Sequence, residues 1–375
     1  MSGSVIESIY NERQSRLATV MEKAGFEAVA INAGPTLFYL TGLHFHLSER
    51  PVVGIFTPQG PVTMVLPELE SGKLAGLPYP VLSFPYGDDP AGWESAFREA
   101  AATARISGAR LGVEPRRLRV LEMRFLESAA PGAEFLSAES LIAALRMHKD
   151  TREIAAMRQA VAIAERSLKD TLPLIRSGMS ERELARKITT QLLRHGCDPE
   201  LPFQPIVASG SNSANPHSSP SDRLIAEGDL LILDWGANHG GYFSDLTRTF
   251  MIGRVDPELK KIAGVVSQAN EAARAAVRPG VAASTVDRAA RQVIEEAGYG
   301  EYFIHRTGHG LGLEVHEEPY IYAGNPMTLE PGMTFTIEPG IYLPGRGGVR
   351  VEDNVVVTDE GAETLSTLDR TLFAI

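Results

Sequence analysis

The chain has 375 residues. A chain of this length usually exceeds what a single hydrophobic core can stabilise, which predicts two domains. Its hydrophobic content of 43% is normal for a globular protein. The net charge of −11 and the pI near 5.4 argue against nucleic acid or an anionic membrane as a partner.

The apolar segments are too short to span a bilayer, since none approaches the roughly 18 residues that a span requires. The N-terminal stretch 1–17 is polar and mixed in charge, unlike a secretory signal. Cys197 is the only cysteine, so an intrachain disulfide is excluded. Together these features predict a cytoplasmic protein with no membrane partner.

Residues 1 to about 135 alternate between helix and strand patterns. A first helix is predicted from Asn11 to Ala24 by its periodicity, and short apolar runs broken by Gly and Pro follow it. This pattern predicts an α/β domain at the N-terminus.

A long helix is predicted to begin near Asp150. Asp150 and Glu153 form a capping-box pattern, and apolar residues at helical spacing follow it. The chain is therefore predicted to divide just before this helix, into domains 1–145 and 146–375.

The C-terminal half contains a weak internal repeat. Three residues recur at one offset of 102 positions: Arg176, Gly178 and Gly196 match Arg278, Gly280 and Gly298. Ser180 and Glu183 are predicted to cap the first helix of the repeated pair. Each half continues into strands that carry two acidic residues, which predicts duplicated helix-plus-antiparallel-sheet units around a pseudo-twofold axis.

Five potential metal ligands lie in this half, each in an apolar or Gly-rich setting typical of strands: Asp234, Asp245, His309, Glu338 and Glu352. Buried carboxylates are costly without a partner, and neighbouring ones repel unless a cation lies between them. Oxygen ligands with one imidazole suit Mn²⁺, Co²⁺ or Zn²⁺, whereas Ca²⁺ does not need the histidine. The set therefore predicts a two-metal site, which usually performs hydrolysis.

The first two acids are predicted to lie on a β-hairpin. Asp234 ends the apolar run LLILD, residues 238–241 supply a turn, and YFSDLTRTF, residues 242–250, reads as the second strand. In such a hairpin both aspartates can project to one face. His309 lies between two glycines, which allow the backbone to come close to a ligand.

These segments, together with GHGLGLEVHE, TIEPGIY and GGVRVED, resemble the creatinase/methionine-aminopeptidase ("pita-bread") superfamily, and more narrowly its Xaa-Pro peptidases, prolidase and aminopeptidase P. The resemblance covers residues 150–375 closely and the N-terminal domain in general layout. It implies a creatinase-like α/β domain followed by a C-terminal pita-bread domain, an α/β (α+β) fold. It also implies a homodimer.

The resemblance implies a role for each ligand. Asp234 chelates one ion, Asp245 and Glu352 bridge two ions, and His309 and Glu338 bind the other. A metal-bridging hydroxide then attacks the peptide carbonyl, because the ions lower the pKa of the bound water. We expect two divalent ions, with Mn²⁺ first and Co²⁺ or Zn²⁺ as alternatives.

The resemblance also implies residues that act on the substrate. Glu338 carries a proton from water to the prolyl nitrogen, which leaves poorly unless it is protonated. His217 and His316 contact the carbonyl oxygen and the tetrahedral intermediate, and His305 lines the proline side of the pocket. For His217 the alternative is an ordinary loop residue.

Two further residues are expected near the site. Arg350 lies two residues before Glu352, so a strand would place both side chains on one side, where Arg350 binds substrate or stabilises Glu352. Tyr342, four residues after Glu338, is expected to reach the site as well.

The substrate is predicted to be an Xaa-Pro dipeptide, with longer Xaa-Pro peptides, as cleaved by aminopeptidase P, as the alternative. The resemblance brings an N-terminal loop of one subunit near the other's active site; here this is Leu43 to Pro51, LHFHLSERP. In it Arg50 or His46 is a candidate to hold the proline carboxylate, and a solvated loop is the equal alternative. A non-hydrolytic metal- or peptide-binding protein is the remaining class.

Overall fold

The structure is a computed structural model, and it describes residues 3–375, with side chains from residue 9 onward. The first two residues of the polar stretch 1–17 lie outside the described residues. The chain forms two compact units, Met1–Arg146 and Met147–Ile375. Among the described residues, no helix combines the length and the apolar character that crossing a bilayer requires.

The helices of the described chain are α1 Gly3–Ala24, α2 Pro35–Thr41, α3 Trp93–Ala104, α4 Val120–Ala129, α5 Glu139–Arg146, α6 Thr151–Thr171, α7 Glu181–Arg194, α8 Pro257–Ala276 and α9 Ala283–Glu296. The strands of the N-terminal unit are β1 Ala28–Asn32, β2 Val53–Phe56, β3 Val62–Pro67, β4 Val81–Tyr86, β5 Arg110–Val113 and β6 Glu134–Ser137. Those of the C-terminal unit are β7 Ile206–Ser209, β8 Leu230–Trp235, β9 Asn238–His239, β10 Tyr242–Phe243, β11 Leu246–Met251, β12 Gly308–Gly310, β13 Glu317–Ile321, β14 Thr334–Ile337, β15 Gly340–Leu343, β16 Gly347–Arg350, β17 Asp353–Val357 and β18 Ala362–Thr364.

The N-terminal unit is built on one mixed sheet in the order β4-β3-β2-β1-β5-β6. β1 pairs parallel with β5 and antiparallel with β2. All residues of β1, β2 and β3 are buried, which explains why these strands read as continuous apolar runs. α3 packs on β3 and β4 and contributes Trp93, Phe97 and Ala100 to the core. The predicted α/β domain is confirmed.

Two helices of the C-terminal unit, α6 and α7, begin where the sequence predicts. Asp150 caps α6 by accepting from the backbone N–H of Glu153, and the Glu153 side chain accepts from the Asp150 N–H. Ser180 caps α7 by accepting from the Glu183 N–H. Both predicted caps are confirmed.

The internal repeat is visible in the helices. α7 and α9 have 14 residues each and start 102 positions apart, the offset seen in the sequence. The glycines that flank them also match: Gly178 and Gly280 have φ of 86° and 87°, a left-handed conformation that favours glycine. α8 and α9 pack together; α8 also contacts β14, β16 and β18, and α9 contacts β13, and the shared hydrophobic core includes Phe335, Ile337 and Val355.

Two sheets bring the acidic strands together. β11, β8 and β7 form one antiparallel sheet, and β13, β12, β14, β17 and β18 form the other. A single antiparallel bridge between Thr247 and Glu352 joins the start of β11 to the residue before β17. The strands of the first half of the repeat therefore meet those of the second half at the predicted ligands.

Candidate metal centre and active site

Asp234 and Asp245 lie on neighbouring strands, although the predicted hairpin is wrong in its middle. Asp234 in β8 is opposite Thr247 in β11, but residues 242–250 do not form one strand. The chain leaves the ladder at Asp245, whose N–H donates to Asn354 Oδ1 (3.0 Å) and whose carbonyl accepts from Asn354 Nδ2 (2.6 Å). The Asn354 amide therefore replaces the strand pairing that the pattern predicts.

Glu352 is fixed by Thr247. The Glu352 N–H donates to the Thr247 carbonyl (3.1 Å), and Thr247 Oγ1 donates to Glu352 Oε2 (2.7 Å). Arg350 Nε also donates to Thr247 Oγ1 (3.1 Å), so the side chains of Arg350 and Glu352 meet at one hydroxyl.

His309 and Glu338 come from adjacent segments of the second sheet. The His309 N–H donates to Thr336 Oγ1 (3.2 Å), and the Glu338 N–H donates to the Thr307 carbonyl (2.7 Å). Thr307 is held in turn by the buried carboxylate of Asp287 on α9, which accepts from its N–H (3.1 Å) and its hydroxyl (2.8 Å). Gly308 permits this close approach, because a Cβ there would lie 1.8 Å from the Thr336 carbonyl oxygen.

The five side chains form one buried cluster. Ligand atoms of Asp245, His309 and Glu352 all lie within 4.8 Å of one another. His309 Nε2 is 3.7 Å from Asp245 Oδ2 and 3.4 Å from Glu338 Oε1. Among the described residues, neither Asp234 Oδ1 nor Asp245 Oδ1 has a hydrogen-bond partner, although both atoms are buried. Such oxygens are rare in folded proteins unless a ligand completes them.

The electrostatics of the cluster also call for a cation. Burial, followed by the charges of Glu352, Asp234 and Glu338, raises the pKa of Asp245 well above its usual value. Burial and the charges of Glu338 and Asp234 do the same to the pKa of Glu352. Burial raises the pKa of Glu338 to about 7. Four carboxylates in one buried space repel each other, and divalent ions remove that repulsion.

The donors present fit two divalent ions. Four carboxylates supply hard oxygen ligands, and burial lowers the pKa of His309 well below its usual value, which keeps the imidazole neutral and able to coordinate. The unpartnered oxygens of Asp234 and Asp245 leave lone pairs free for this purpose.

Arg350 connects the cluster to a tyrosine and a histidine. Its Nη2 donates to Asp234 Oδ2 (2.6 Å), and its Nη1 donates to Tyr342 Oη (3.0 Å) and to the Pro216 carbonyl (3.2 Å). Tyr342 Oη also lies 2.9 Å from His305 Nε2. Burial lowers the pKa of His305 to about 4 and raises that of Tyr342 to about 12, so both groups are neutral at neutral pH.

The other two predicted histidines face the same cluster. The His316 ring packs edge-to-face on His309, with centroids 4.1 Å apart, and burial together with the Arg306 charge lowers the pKa of His316. His217 is exposed on the loop after β7, and it lies close enough to Asp234, His305 and His316 to influence their pKa values.

The sequence matches two known family profiles. That of metallopeptidase family M24 covers residues 155–359, and that of the creatinase/prolidase N-terminal domain covers residues 13–148. The chain belongs to metallopeptidase family M24. This membership implies divalent metal ions, in agreement with the donor set, and it confirms the resemblance identified in the sequence.

Relatives of this M24 chain span its whole length. The probable dipeptidase PepE of Mycobacterium tuberculosis is 39% identical, covering 98% of this chain and 97% of its own. The Xaa-Pro dipeptidase of Pyrococcus horikoshii is 34% identical, covering 97% and 99%. The crystal structure of a prolidase from Thermococcus sibiricus superposes with a TM-score of 0.93 at 37% identity, covering 98% and 99%. The two-domain fold predicted from the sequence is therefore that of an M24 peptidase.

His46 and Arg50 belong to the N-terminal unit, and their part in the site stays a prediction. The Arg50 guanidinium lies 3.0 Å from the Asp88 carboxylate, and the His46 ring packs on His44 with centroids 5.1 Å apart. Both side chains are thus engaged with neighbours in their own unit.

Arg306 is a site residue that the sequence reasoning missed. Its guanidinium lies over the Tyr320 ring, 4.3 Å from the centroid, and its charge acts on His309, His316 and Glu338. Among the residues whose side chains are described, no carboxylate pairs with it. The signal in the sequence was its position three residues before His309.

Proposed function

We propose that this M24 peptidase hydrolyses the Xaa-Pro bond of dipeptides with two divalent metal ions. The observation that carries the proposal is the buried cluster of four carboxylates and one histidine with two unpartnered oxygens. The names of its relatives, an Xaa-Pro dipeptidase and a prolidase, support the same substrate class.

The proposed ligand set is the one that the resemblance implies. The side chains of Asp234, Asp245, His309, Glu338 and Glu352 would together hold the two ions, and the unpartnered oxygens of Asp234 and Asp245 support this. When bound, the ions lower the pKa of water and polarise the scissile carbonyl. Mn²⁺ is the proposed ion, because oxygen-rich shells with one imidazole suit it, and Co²⁺ and Zn²⁺ accept similar ligands.

Glu338 is the proposed proton carrier. Its side chain is 16% exposed, against 4% for His309, so it lies at the side of the cluster that a substrate can reach. Glu338 would accept a proton from water and deliver it to the prolyl nitrogen as the bond breaks.

His217, His305, His316 and Arg350 are proposed to contact the substrate. His316 and His217 donate to the carbonyl oxygen and stabilise the charge that develops on it. His305, held by Tyr342 Oη, lines the side that receives the proline ring. Arg350 binds substrate or holds Asp234, and its bond to Asp234 Oδ2 favours the second role.

The preference for dipeptides requires a cation that binds the free carboxylate of proline. Arg306 is a candidate because its charge already acts on three site residues and no described carboxylate neutralises it. Arg50 and His46 are the candidates from the N-terminal unit, on the loop that the resemblance brings near the active site of the other subunit, with a solvated loop as the equal alternative. A longer peptide has no carboxylate at this position, so such a cation would select against it.

The proposal is tested by removing metal from the protein, adding back Mn²⁺, Co²⁺ or Zn²⁺, and measuring the hydrolysis of Ala-Pro and Ala-Pro-Ala. Cleavage of Ala-Pro alone is the expected result. Cleavage of the tripeptide would move the assignment to an aminopeptidase P activity. Cleavage of neither, with metal bound, would leave a non-hydrolytic metal- or peptide-binding protein or another bond specificity.

We further propose a division of labour between domains 1–145 and 146–375, in which the second domain carries the chemistry. A cytoplasmic homodimer without nucleic-acid or membrane partners is the proposed form, supported by the acidic charge, the single cysteine and the resemblance. Light scattering of the purified protein would test the dimer.

A further inference from the structure

A fully buried carboxylate lies behind the loop that carries His217. Glu181 is the first residue of α7, and its exposed fraction is 0%. Acidic side chains in the first turn of a helix usually stay in solvent, where they interact with the helix dipole. Ser180 already caps this helix, so the burial of Glu181 calls for a different explanation.

Every hydrogen bond that the structure gives to the Glu181 side chain comes from residues 209–221. Oε1 accepts from the N–H (2.7 Å) and the hydroxyl (2.8 Å) of Ser209, and Oε2 accepts from the N–H (3.1 Å) and the hydroxyl (2.6 Å) of Ser221. The Asn212 amide donates to Oε1 (3.2 Å) and to Oε2 (3.0 Å). One carboxylate therefore joins the beginning, the body and the end of this loop.

The same loop reaches the candidate site at its tip. The Pro216 carbonyl accepts from Arg350 Nη1 (3.2 Å), and Ser213 Oγ accepts from the Gly348 N–H (2.9 Å). His217 follows Pro216 and is exposed, with its N–H bonded to Asn215 Oδ1 (3.1 Å). Because His217 is exposed, its position depends on the hydrogen bonds of the loop that carries it, both at the tip and at the ends.

We propose that Glu181 is a positioning residue that closes loop 209–221 and so holds His217 at the site. The proposal rests on the proposed function, in which His217 stabilises the developing oxyanion. Both oxygens of Glu181 accept hydrogen bonds, so an amide at this place would put donors against the donors of the loop. A buried donor without a partner is costly, and the loop would open to satisfy it.

Glu181→Gln is the variant that tests this role, and Glu183→Gln is its matched control. Glu183 lies in the same helical turn, but its side chain is exposed and 3.6 Å from Lys187. For Ala-Pro cleavage with Mn²⁺ we expect kcat of Glu181→Gln to fall by about 10- to 100-fold. We expect KM to change by less than about threefold and the control to match the wild type.

A double variant separates positioning from general damage to the fold. His217→Ala alone should lower kcat, and Glu181→Gln combined with His217→Ala should be no slower than His217→Ala. Multiplicative losses would overturn the proposal, because Glu181 would then act elsewhere. Unchanged kcat in Glu181→Gln would overturn it as well.

Amide hydrogen exchange provides a second reading that does not depend on peptidase activity. In the metal-free protein, Glu181→Gln should speed exchange across residues 209–221 by at least about tenfold, and Glu183→Gln should not. Unchanged exchange in the loop overturns the proposal even if activity falls. Should the wild type cleave no Xaa-Pro peptide, the proposed function fails, and the exchange result alone decides whether Glu181 closes the loop.

Ser221→Ala tests the same role if the Glu181→Gln protein does not fold. It removes one hydroxyl donor to Glu181 Oε2 and leaves the Ser221 N–H bond in place. The same exchange pattern, with a smaller loss of kcat, is expected. An exchange profile and a kcat equal to those of the wild type would overturn the proposal.

Discussion

Replacing Asp353 by Asn removes the charge that balances a group of arginines next to the candidate metal centre. Asp353 is fully buried on β17 and accepts from Arg248 Nη2 (2.8 Å), from Arg370 Nε (2.7 Å) and from the Ser366 hydroxyl. Arg248 has a side-chain exposure of only 4%, and its Nη1 donates to the Glu352 carbonyl (2.6 Å). The pair therefore supports the backbone of a predicted metal ligand.

The expected loss of stability is large because an arginine remains buried without its partner. Removing one member of a buried ion pair costs about 3–5 kcal/mol. For a domain of this size about 2–4 °C of unfolding temperature corresponds to 1 kcal/mol, so Asp353→Asn should melt roughly 6–20 °C below the wild type. Metal affinity should fall by about tenfold or more, since Glu352 loses its support.

Thermal unfolding gives the change in melting temperature, and guanidinium unfolding gives the change in free energy. Tryptophan fluorescence follows both, with Trp93 in the N-terminal unit and Trp235 in the C-terminal unit. Asp369→Asn is the control, because Asp369 is a nearby exposed acid whose side chain accepts from the N–H and the hydroxyl of Thr371 and not from a buried arginine side chain. A loss below about 1 kcal/mol in Asp353→Asn, or an equal loss in the control, would refute the reasoning.

The stability difference between the wild type and Asp353→Asn should also depend on pH in a definite direction. Burial raises the pKa of Asp353, but the charges of Arg248 and Arg370 outweigh it and hold the pKa below its usual value. A carboxyl with a lowered folded-state pKa contributes stability above its unfolded pKa of about 3.9 and loses it as the pH falls through the folded value. The gap between wild type and Asp353→Asn should therefore be full at pH 6 and shrink below about pH 4.

The remaining predictions concern the site. Asp245→Asn removes one of the repelling carboxylates, so the metal-free variant should melt at a higher temperature than the metal-free wild type. Mn²⁺ at 100 times its Kd should stabilise the wild type by about 2.7 kcal/mol but not the variant, and thermal scans with and without the ion measure both effects. Arg306→Ala and Arg50→Ala separate two candidate anchors: the residue that holds the proline carboxylate should raise KM for Ala-Pro but not for Ala-Pro-Ala, and equal effects on both peptides would exclude it. Tyr342→Phe removes the hydroxyl that joins Arg350 to His305, and it should lower kcat by about tenfold with little change in KM. Steady-state kinetics at full metal loading measure this, and an unchanged kcat would contradict a positioning role for Tyr342.

Much of the fold is predictable because its signals are local. The cap at Asp150 depends on residues three positions apart, and the repeat is marked by glycines that must adopt positive φ, such as Gly178 and Gly280. The candidate ligands also stand out locally, since each is a charged residue in a run of apolar or glycine residues. Their gathering in one place follows from the pairing of the two halves.

What the sequence does not reveal depends on distant partners. The strand predicted over 242–250 breaks because Asn354, more than a hundred positions away, bonds to the backbone of Asp245. Glu181 reads as an ordinary acid at a helix start, since its partners Ser209 and Ser221 are not recognisable as donors to it. Arg306 is one arginine among many until the fold places its charge beside the histidines.

The bridge between Thr247 and Glu352 also has a consequence for the biosynthesis of the protein. Asp234 and Asp245 come from one half of the repeat, whereas His309, Glu338 and Glu352 come from the other. Synthesis proceeds from the N-terminus, so a nascent chain presents only two of the five predicted ligands until most of the second half has emerged. If the proposed site is correct, we expect the ions to bind only after Glu352 has been synthesised, and a product truncated before Glu352 to retain less metal.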